Sequence, residues 1–385
     1  MNFRLISVAI VCVVALLISG CAPSVVNQTF DDVNSPILGS PEKNSAQTTE
    51  GADTGAFVKI SSYDGIQVNT LVSFKGSFYV GGNKGVYRFE NGKWKLIAGE
   101  VKTASGASKP LVVNLLVEHN GELYLGGNGA NIFKIKNDTI ELVAREDALS
   151  EFIDELSIFE KLISYNNELY ILSFGSIYRT QGSNLVEVGD FEGKGLPMSI
   201  AVFNNELYVG TSLVSKGIGL FKLKNDEWES VVKTFNYPGG KRLEVLGISD
   251  WNNELYVTGS LIVGADDKVT WTEDTTISPD AFATTKRFLG KIKGDELISV
   301  SGGGVIINEF IKHKNKLYLS TVKKVYTIIE GIGVSLIDHV PDTVGFIRDY
   351  TMQDGELYLH TEKGIFKYSP STKGFAGKTL IGEQY

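Results

Sequence analysis

Cysteine is nearly absent from this chain of 385 residues, and both of its cysteines, Cys12 and Cys21, lie close to the N-terminus. Residues 22–385 therefore hold no pair for a disulfide and no thiol cluster for zinc. Basic residues are also in deficit, with 37 lysines and arginines against 45 aspartates and glutamates. Because nucleic-acid binding needs a basic stripe, this balance argues against a nucleic-acid partner.

Long apolar runs are scarce too, and the one candidate stands at the N-terminus. Residues 5–18 are apolar except for Ser7, follow Arg4, and precede the small residues Ser19 and Gly20. A positive start, an apolar middle and a small-residue end are the three parts of an export signal. An uncleaved transmembrane anchor is the alternative, but the run is shorter than the ~20 residues that span a bilayer.

The end of this segment, Ile18-Ser19-Gly20-Cys21, resembles the lipobox of bacterial lipoproteins. The resemblance implies that residues 1–20 are a signal peptide cleaved before Cys21. It also implies that the thiol of Cys21 receives a diacylglyceryl group and the new amine a fatty acyl chain such as palmitate. The lipid bilayer is then the first expected partner. Since residue 22 is Ala rather than Asp, the resemblance favours the outer membrane in a Gram-negative host.

Residues 21–55, from the lipidated cysteine onward, are rich in Ser, Asn, Thr, Pro, Gly and Asp and lack hydrophobic periodicity. Such a segment buries too little surface to offset its ordering entropy. We therefore expect a flexible, disordered linker between the anchor and a domain at residues 56–385.

One phrase recurs through residues 56–385: a polar pair, then Glu or Lys, Leu, Tyr and an aliphatic residue. Its seven tyrosines are Tyr79, Tyr124, Tyr170, Tyr208, Tyr256, Tyr318 and Tyr358. Each copy contains four short segments with period-two alternation, separated by polar turns, which predicts four antiparallel strands with the phrase as the second. The sequence therefore predicts an all-β fold, a seven-bladed β-propeller, with an open β-solenoid as the alternative.

The repeat resembles the kelch type, in which a Gly-Gly pair is followed by a spaced aromatic residue and Trp. The first two copies fit best, with Gly81-Gly82, Tyr87 and Trp94, then Gly126-Gly127 and Phe133. Later copies depart from it and are also similar to the propellers of bacterial sensor ectodomains. The resemblance implies a propeller and carries no residue roles. Ring closure stays open between residues 57–60 and 378–381 as the seventh blade's outer strand, and we predict the N-terminal segment.

We expect two unlike faces. The turns between strands one and two, and between three and four, are tight, whereas the links between strands two and three and between blades are expected to be long. Links at residues 99–110, 145–156, 189–197, 235–242 and 339–345, and an insertion at 260–286, would form a loop-rich face. Aligned inner strands place polar residues at its channel mouth and an apolar column one step further. The candidate ligand-binding residues there are Asn69, Asn114, Glu160, Lys161, Asn308, Glu309, Arg348 and Asp349.

Catalytic motifs are missing from the sequence. The four histidines lack close metal-site spacing, and there is no nucleophile elbow, phosphate loop or calcium loop. We therefore assign no catalytic residues, metal or cofactor. Two functions remain: an envelope binding or scaffold module that meets a protein or glycan through the loop-rich face, or an envelope hydrolase or lyase at the channel mouth. In the second case Glu160 would pair with Glu309 or Asp349. A hydrated channel entrance without a ligand is the third interpretation.

Overall fold

The computed structural model describes residues 56–102, 108–127, 131–145, 159–173, 175–212, 214, 217–232, 240–263, 285–301, 307, 309–321, 323–329 and 333–370, all within the compact unit Ala52–Tyr385. Every regular element in these ranges is a β-strand. In this part of the chain, no helix is long and apolar enough to cross a membrane.

Most strands form four-stranded antiparallel meanders, which we call blades. The first comprises β2 (Val68–Phe74), β3 (Ser77–Gly82), β4 (Gly85–Glu90) and β5 (Lys93–Ala98). The second comprises β8 (Val113–His119), β9 (Glu122–Gly127), β10 (Asn131–Lys136) and β11 (Thr139–Arg145). The third comprises β12 (Phe159–Tyr165), β13 (Glu168–Ser173), β14 (Ser176–Gln181) and β15 (Asn184–Glu187). A hairpin of β6 (Glu100–Lys102) and β7 (Ser108–Pro110) links the first to the second.

The fourth blade comprises β16 (Leu196–Phe203), β17 (Glu206–Ser212), β19 (Leu220–Lys224) and β20 (Glu227–Ser230). The fifth comprises β21 (Gly240–Trp251), β22 (Glu254–Val263), β23 (Thr285–Lys293) and β24 (Glu296–Ser301), with the short β18 (Gly217–Ile218) beside β21. The sixth comprises β25 (Glu309–His313), β26 (Lys316–Ser320), β27 (Lys324–Ile329) and β28 (Gly333–His339). The seventh comprises β29 (Ile347–Gln353), β30 (Glu356–Thr361), β31 (Gly364–Ser369) and β1 (Ala56–Ser61).

The repeated phrase lies where the sequence predicted, because each of its seven tyrosines falls on the second strand of a blade. Two-residue turns precede these strands, and Asn166 and Asn167, for example, have φ values of 50° and 60°. Asparagine tolerates this left-handed conformation, which matches the twist of an antiparallel hairpin. The sequence thus specifies the register of each hairpin locally.

Among the described residues, the core of the propeller comprises seven hydrophobic clusters, each between two successive blades. The apolar column predicted on the inner strands contributes one residue to every cluster: Leu71, Leu116, Leu162, Ile200, Ile248, Phe310 and Tyr350. The cluster around Leu71 includes Ile365 of β31, so the first blade packs against the last. Stacking the blades in a ring buries the sheet faces that a single four-stranded blade would leave exposed.

The ring closes through the N-terminal strand, as predicted. β1 pairs antiparallel with β31, with Phe57 opposite Tyr368. The rings of these two residues stack with centroids 4.7 Å apart, and Tyr368 also donates a hydrogen bond to the carboxylate of Asp338 in the sixth blade. The competing segment, residues 378–381, lies outside the described residues.

The Glu-x-Tyr part of the phrase forms a repeated polar contact on the blade surface. Tyr208 donates a hydrogen bond to Glu206, two residues earlier on the same side of β17, over 2.8 Å. Lys222, which lies opposite Tyr208 on β19, approaches Glu206 to 2.6 Å. Equivalent pairs join Glu122 to Lys134, Glu254 to Lys291 and Glu356 to Lys367. The recurring glutamate is therefore part of the scaffold.

One prediction about the loops is wrong. The links between strands two and three were expected to be long, but Gly82 pairs directly with Gly85 in the first blade and Thr361 with Gly364 in the seventh. These two links are two-residue turns. The inter-blade link expected at 235–242 begins and ends earlier in the chain, because β20 ends at Ser230 and β21 begins at Gly240. Residues 264–284, most of the predicted insertion, lie outside the described residues.

Candidate functional site

A β-bulge recurs at the start of the inner strands. In β2, Val68 pairs with Gly82 and Thr70 with Gly81, which leaves Asn69 as an extra residue. The same shift occurs in β8, β12, β16, β21 and β29. The extra residues are Asn69, Asn114, Glu160, Met198, Leu246 and Arg348. A bulge leaves its extra residue outside the ladder and re-aims its side chain. We call these six positions the channel mouth.

The sequence alignment selected this column without revealing the bulge. The Gly-Gly pair on the second strand faces this bulge, as Gly127 of β9 shows. A Cβ on Gly127 would lie 1.7 Å from the carbonyl oxygen of Val112, just before the bulge in β8. Gly82 and Gly259 face the carbonyl oxygens of Gln67 and Glu244 in the same way, at 2.1 and 1.7 Å. The second glycine of the kelch-like pair therefore makes room for the bulged strand.

Carboxamides connect the first two blades at the channel mouth. The side-chain nitrogen of Asn69 donates to the side-chain oxygen of Asn114 over 2.8 Å and to the oxygen of Asn83 over 3.0 Å. Asn83 in turn donates to Gln67 over 2.7 Å. Two predicted site residues are thus in direct contact. Gln67 and Asn83 extend the row and were not foreseen, because they lie on the links and not on the aligned strands.

Glu160 and Lys161 begin the inner strand of the third blade. The side chain of Glu160 is exposed and that of Lys161 is half-buried. Partial desolvation of the carboxyl group raises the pKa of Glu160 to about 7. Because the side chain is exposed, solvent reduces this effect.

Arg348 and Asp349 begin the inner strand of the seventh blade, beside Tyr63 and His360. Arg348 is exposed, and the field of its guanidinium helps to lower the pKa of His360. Burial is the larger cause and brings the pKa of His360 to about 3. Asp349 turns back on its own strand, where its carboxylate accepts a hydrogen bond from the amide of Tyr350 over 2.7 Å.

Two buried polar atoms near Arg348, the hydroxyl of Tyr63 and Nδ1 of His360, have no hydrogen-bond partner among the described residues. The rings of these residues pack edge to face with centroids 5.5 Å apart. Sequence reasoning missed both, since Tyr63 lies on the link between β1 and β2 and His360 on a second strand. Of the remaining predicted site residues, Asn308 and the side chain of Glu309 lie outside the described residues.

Three charges at this end of the ring differ from the repeated glutamates of the blade surfaces. On the blade surfaces the repeated glutamates are paired, with Lys291 2.7 Å from Glu254, for example. Arg88 and Arg179 likewise reach Asp138 and Asp226 of the following blades, at 2.7 and 3.0 Å. Within the described ranges, by contrast, the side chains of Glu160, Lys161 and Arg348 have no ion-pair partner. The scaffold thus leaves three charged groups uncommitted at one end of the ring.

The chemistry available at this end is limited. Acid–base hydrolysis of the glycosidase type needs two carboxyl groups held close together, and the side chain of Glu309, one of the two predicted partners of Glu160, lies outside the described residues. The part of the chain that the structure describes contains no group of three or more His, Cys, Asp or Glu side chains suited to a metal ion. The arrangement is suited to binding through hydrogen bonds and charge.

No protein-family model matches this chain, and no curated protein matches it significantly. Solved structures do match. The extracellular domain of a protein described as a hybrid two-component system from B. thetaiotaomicron aligns with a TM-score of 0.56 and 16% identity, over 83% of this chain and 40% of that one. A structure of streptogramin B lyase aligns with a TM-score of 0.52 and 11% identity, over 83% and 98%. The WD40 β-propeller domain of Doa1 gives 0.51 and 12%, over 83% and 98%.

These likenesses show that the chain has a β-propeller fold. Their identities are too low to transfer an activity, and the three proteins differ in what they do. The chain spans less than half of the sensor chain that it matches. Function has to be argued from the channel mouth.

Proposed function

We propose that this protein is a lipid-anchored component of the bacterial cell envelope whose propeller binds a polar ligand at the channel mouth. The observation that carries the binding role is the contrast in charge pairing. Glu160, Lys161 and Arg348 have no ion-pair partner in the described ranges, whereas the repeated charges of the blades are paired. A charged group that has no ion-pair partner and is held on a rigid strand is available to a ligand.

The lipobox-like run ending at Cys21 supports the anchor. The extracellular location of the matched sensor domain supports a position outside the cytoplasm. Together they favour a protein or glycan partner at the envelope over a diffusing nucleic acid, which the acidic balance of the chain also disfavours.

An envelope hydrolase or lyase is the less favoured alternative. Streptogramin B lyase shares the fold, so a propeller can accommodate an enzyme. Besides the fold, this alternative requires Glu160 to lie close to Glu309 or Asp349. A binding or scaffold role needs only the side chains that the inner strands present.

Photo-crosslinking in the native cell tests the binding role. A photoreactive amino acid at position 198, at the channel mouth, is compared with one at position 227, which begins β20 beside a tight turn at the opposite end of the blade. We expect an adduct at 198 that is lost when Glu160→Gln and Arg348→Gln are combined, and none at 227. Equal adducts at both positions, or an adduct that survives the double substitution, would contradict a site at the mouth.

The anchor has its own test. Growth with an alkyne-labelled palmitate should label the wild-type protein and leave Cys21→Ser unlabelled. Label retained in the variant would place the lipid elsewhere, and no label in either protein would remove the lipoprotein assignment.

A further inference from the structure

The order of side chains around the channel mouth has a direction. The inner strands β29, β2, β8 and β12 are neighbours in the ring, since β29 contacts β2, β2 contacts β8 and β8 contacts β12. Their bulge residues therefore follow one another as Arg348, Asn69, Asn114 and Glu160. A cation stands at one end of this arc, an anion at the other, and two amides lie between them.

We infer that the ligand of this site is a short peptide with free termini, whose carboxylate meets Arg348, whose ammonium meets Glu160, and whose peptide groups meet Asn69 and Asn114. This inference rests on the proposed binding function and names the class of ligand. The complementarity lies in the order of groups, because a free peptide carries a charge of opposite sign at each end and amides in the middle.

The two asparagines have the right groups left over. The nitrogen of Asn69 is committed to Asn114, to Asn83 and to the carbonyl of Val113, at 2.8, 3.0 and 3.1 Å. Its own side-chain oxygen and the side-chain nitrogen of Asn114 have no partner among the described residues. One acceptor and one donor therefore remain side by side, which is the inventory that pairs with the N–H and C=O of a peptide group.

The two ends are suited to charged termini. The guanidinium of Arg348 offers the planar fork that binds a carboxylate through two parallel hydrogen bonds. The carboxylate of the neighbouring Asp349 accepts a hydrogen bond from the amide of Tyr350. At the other end, the side chain of Glu160 is exposed and has no ion-pair partner among the described residues. A bound ammonium would supply the missing positive charge.

The fourth and fifth blades present apolar side chains at the mouth. Met198 and Leu246 occupy the bulge positions of the fourth and fifth blades and are half-buried. They can contact the side chains of a peptide without demanding hydrogen bonds. A neutral sugar would use the two amides but would leave Arg348 and Glu160 unpaired, which is why the arrangement favours a peptide over a neutral glycan.

Calorimetry on the full lipoprotein in detergent tests the inference with four forms of tri-alanine as probes: free, N-acetylated, C-amidated and doubly blocked. We expect the free form to bind, and each single block to weaken binding by at least about tenfold, the usual size of a lost charge-assisted hydrogen bond. Arg348→Gln should weaken the free form to the same extent and leave the C-amidated form unchanged. Glu160→Gln should likewise weaken binding of the free form and leave binding of the N-acetylated form unchanged.

Glu118→Gln and Lys93→Gln are the matched controls. Glu118 is an exposed glutamate near the far end of inner strand β8, and Lys93 is exposed next to a tight turn. Both substitutions remove one charge away from the mouth and should leave the affinity unchanged. A doubly blocked peptide that binds as tightly as the free one would overturn the inference.

A neutral trisaccharide, chitotriose, separates the two levels of the proposal. Suppose that chitotriose binds to the wild type and fails to bind to Asn114→Ala, while tri-alanine binds to neither. In that case the peptide inference is wrong and the binding site stands. If the crosslink at position 198 is also absent, the proposed function itself is wrong.

Discussion

The side-chain amide of Asn69 donates a hydrogen bond to the side-chain oxygen of Asn114 over 2.8 Å, across the boundary between the first and second blades. Both residues are the extra members of β-bulges at the start of inner strands. Their contact shows that neighbouring bulge positions converge around the centre of the ring. A scaffold feature, repeated from blade to blade, thereby brings side chains from distant parts of the chain to one place.

The bulge makes the second glycine of the pair essential. Gly127→Ala would place a Cβ 1.7 Å from a backbone oxygen, whereas the nearest atom to a Cβ on Gly126 is a side-chain carbon of Phe159 at 3.2 Å. We expect Gly127→Ala to lower the free energy of unfolding by about 3 kcal/mol or more, and Gly126→Ala by about 1 kcal/mol. Urea denaturation measures both, and equal losses would refute the role given to the bulge.

The hydrogen bond of the Glu-x-Tyr contact should make a small, measurable contribution to the free energy of unfolding. Removing the hydroxyl in Tyr208→Phe breaks its 2.8 Å hydrogen bond to Glu206, and we expect a loss of about 1 kcal/mol in unfolding free energy. The sixth copy provides the control, because Lys316 stands where five of the other copies have glutamate and Tyr318 lacks this acceptor. Tyr318→Phe should therefore cost less. A larger loss in Tyr318→Phe would mean that ring packing dominates the contact.

The N-terminal strand should matter more than the C-terminal tail. Deleting residues 56–61 removes the outer strand of the seventh blade and the stacking of Phe57 on Tyr368. We expect the midpoint of thermal unfolding to fall by more than about 5 °C. Deleting residues 374–385 should leave the midpoint unchanged in the same assay. The opposite ranking would assign closure to the C-terminus.

His360 should make the protein sensitive to acid. Burial lowers its pKa to about 3, below the ordinary value of 6.5, so the folded state binds fewer protons than the unfolded state between these values. Stability is therefore complete above about pH 6.5 and is lost as the pH falls toward 3. By pH 4 the loss should reach roughly 3 kcal/mol, and His360→Phe should remove it while keeping a ring against Tyr63.

Urea titrations at pH 7 and pH 4 measure this difference. His339 is exposed, so His339→Gln is the control and should keep the wild-type dependence on pH. An unchanged difference between pH 7 and pH 4 in His360→Phe would show that other groups cause the acid sensitivity.

The sequence by itself predicted the repeating part of the architecture. Alternation at period two and Asn-rich turns are local properties, so they predicted the strands, the hairpins and the place of each phrase on a second strand. The apolar column at Leu71 and its equivalents predicted the core between blades. Even the closing strand could be chosen, because the linker leads directly into β1.

Only the tertiary structure showed that the candidate site residues lie at β-bulges and which of them are in contact. The bulges depend on how each inner strand pairs with its neighbour, and a bulge inserts a residue without changing the hydrophobic pattern around it. The contact of Asn69 with Asn114 spans two blades, and the association of Arg348 with Tyr63 and His360 joins the two ends of the domain. Contacts between residues so far apart in the chain depend on ring closure, which no local sequence pattern encodes.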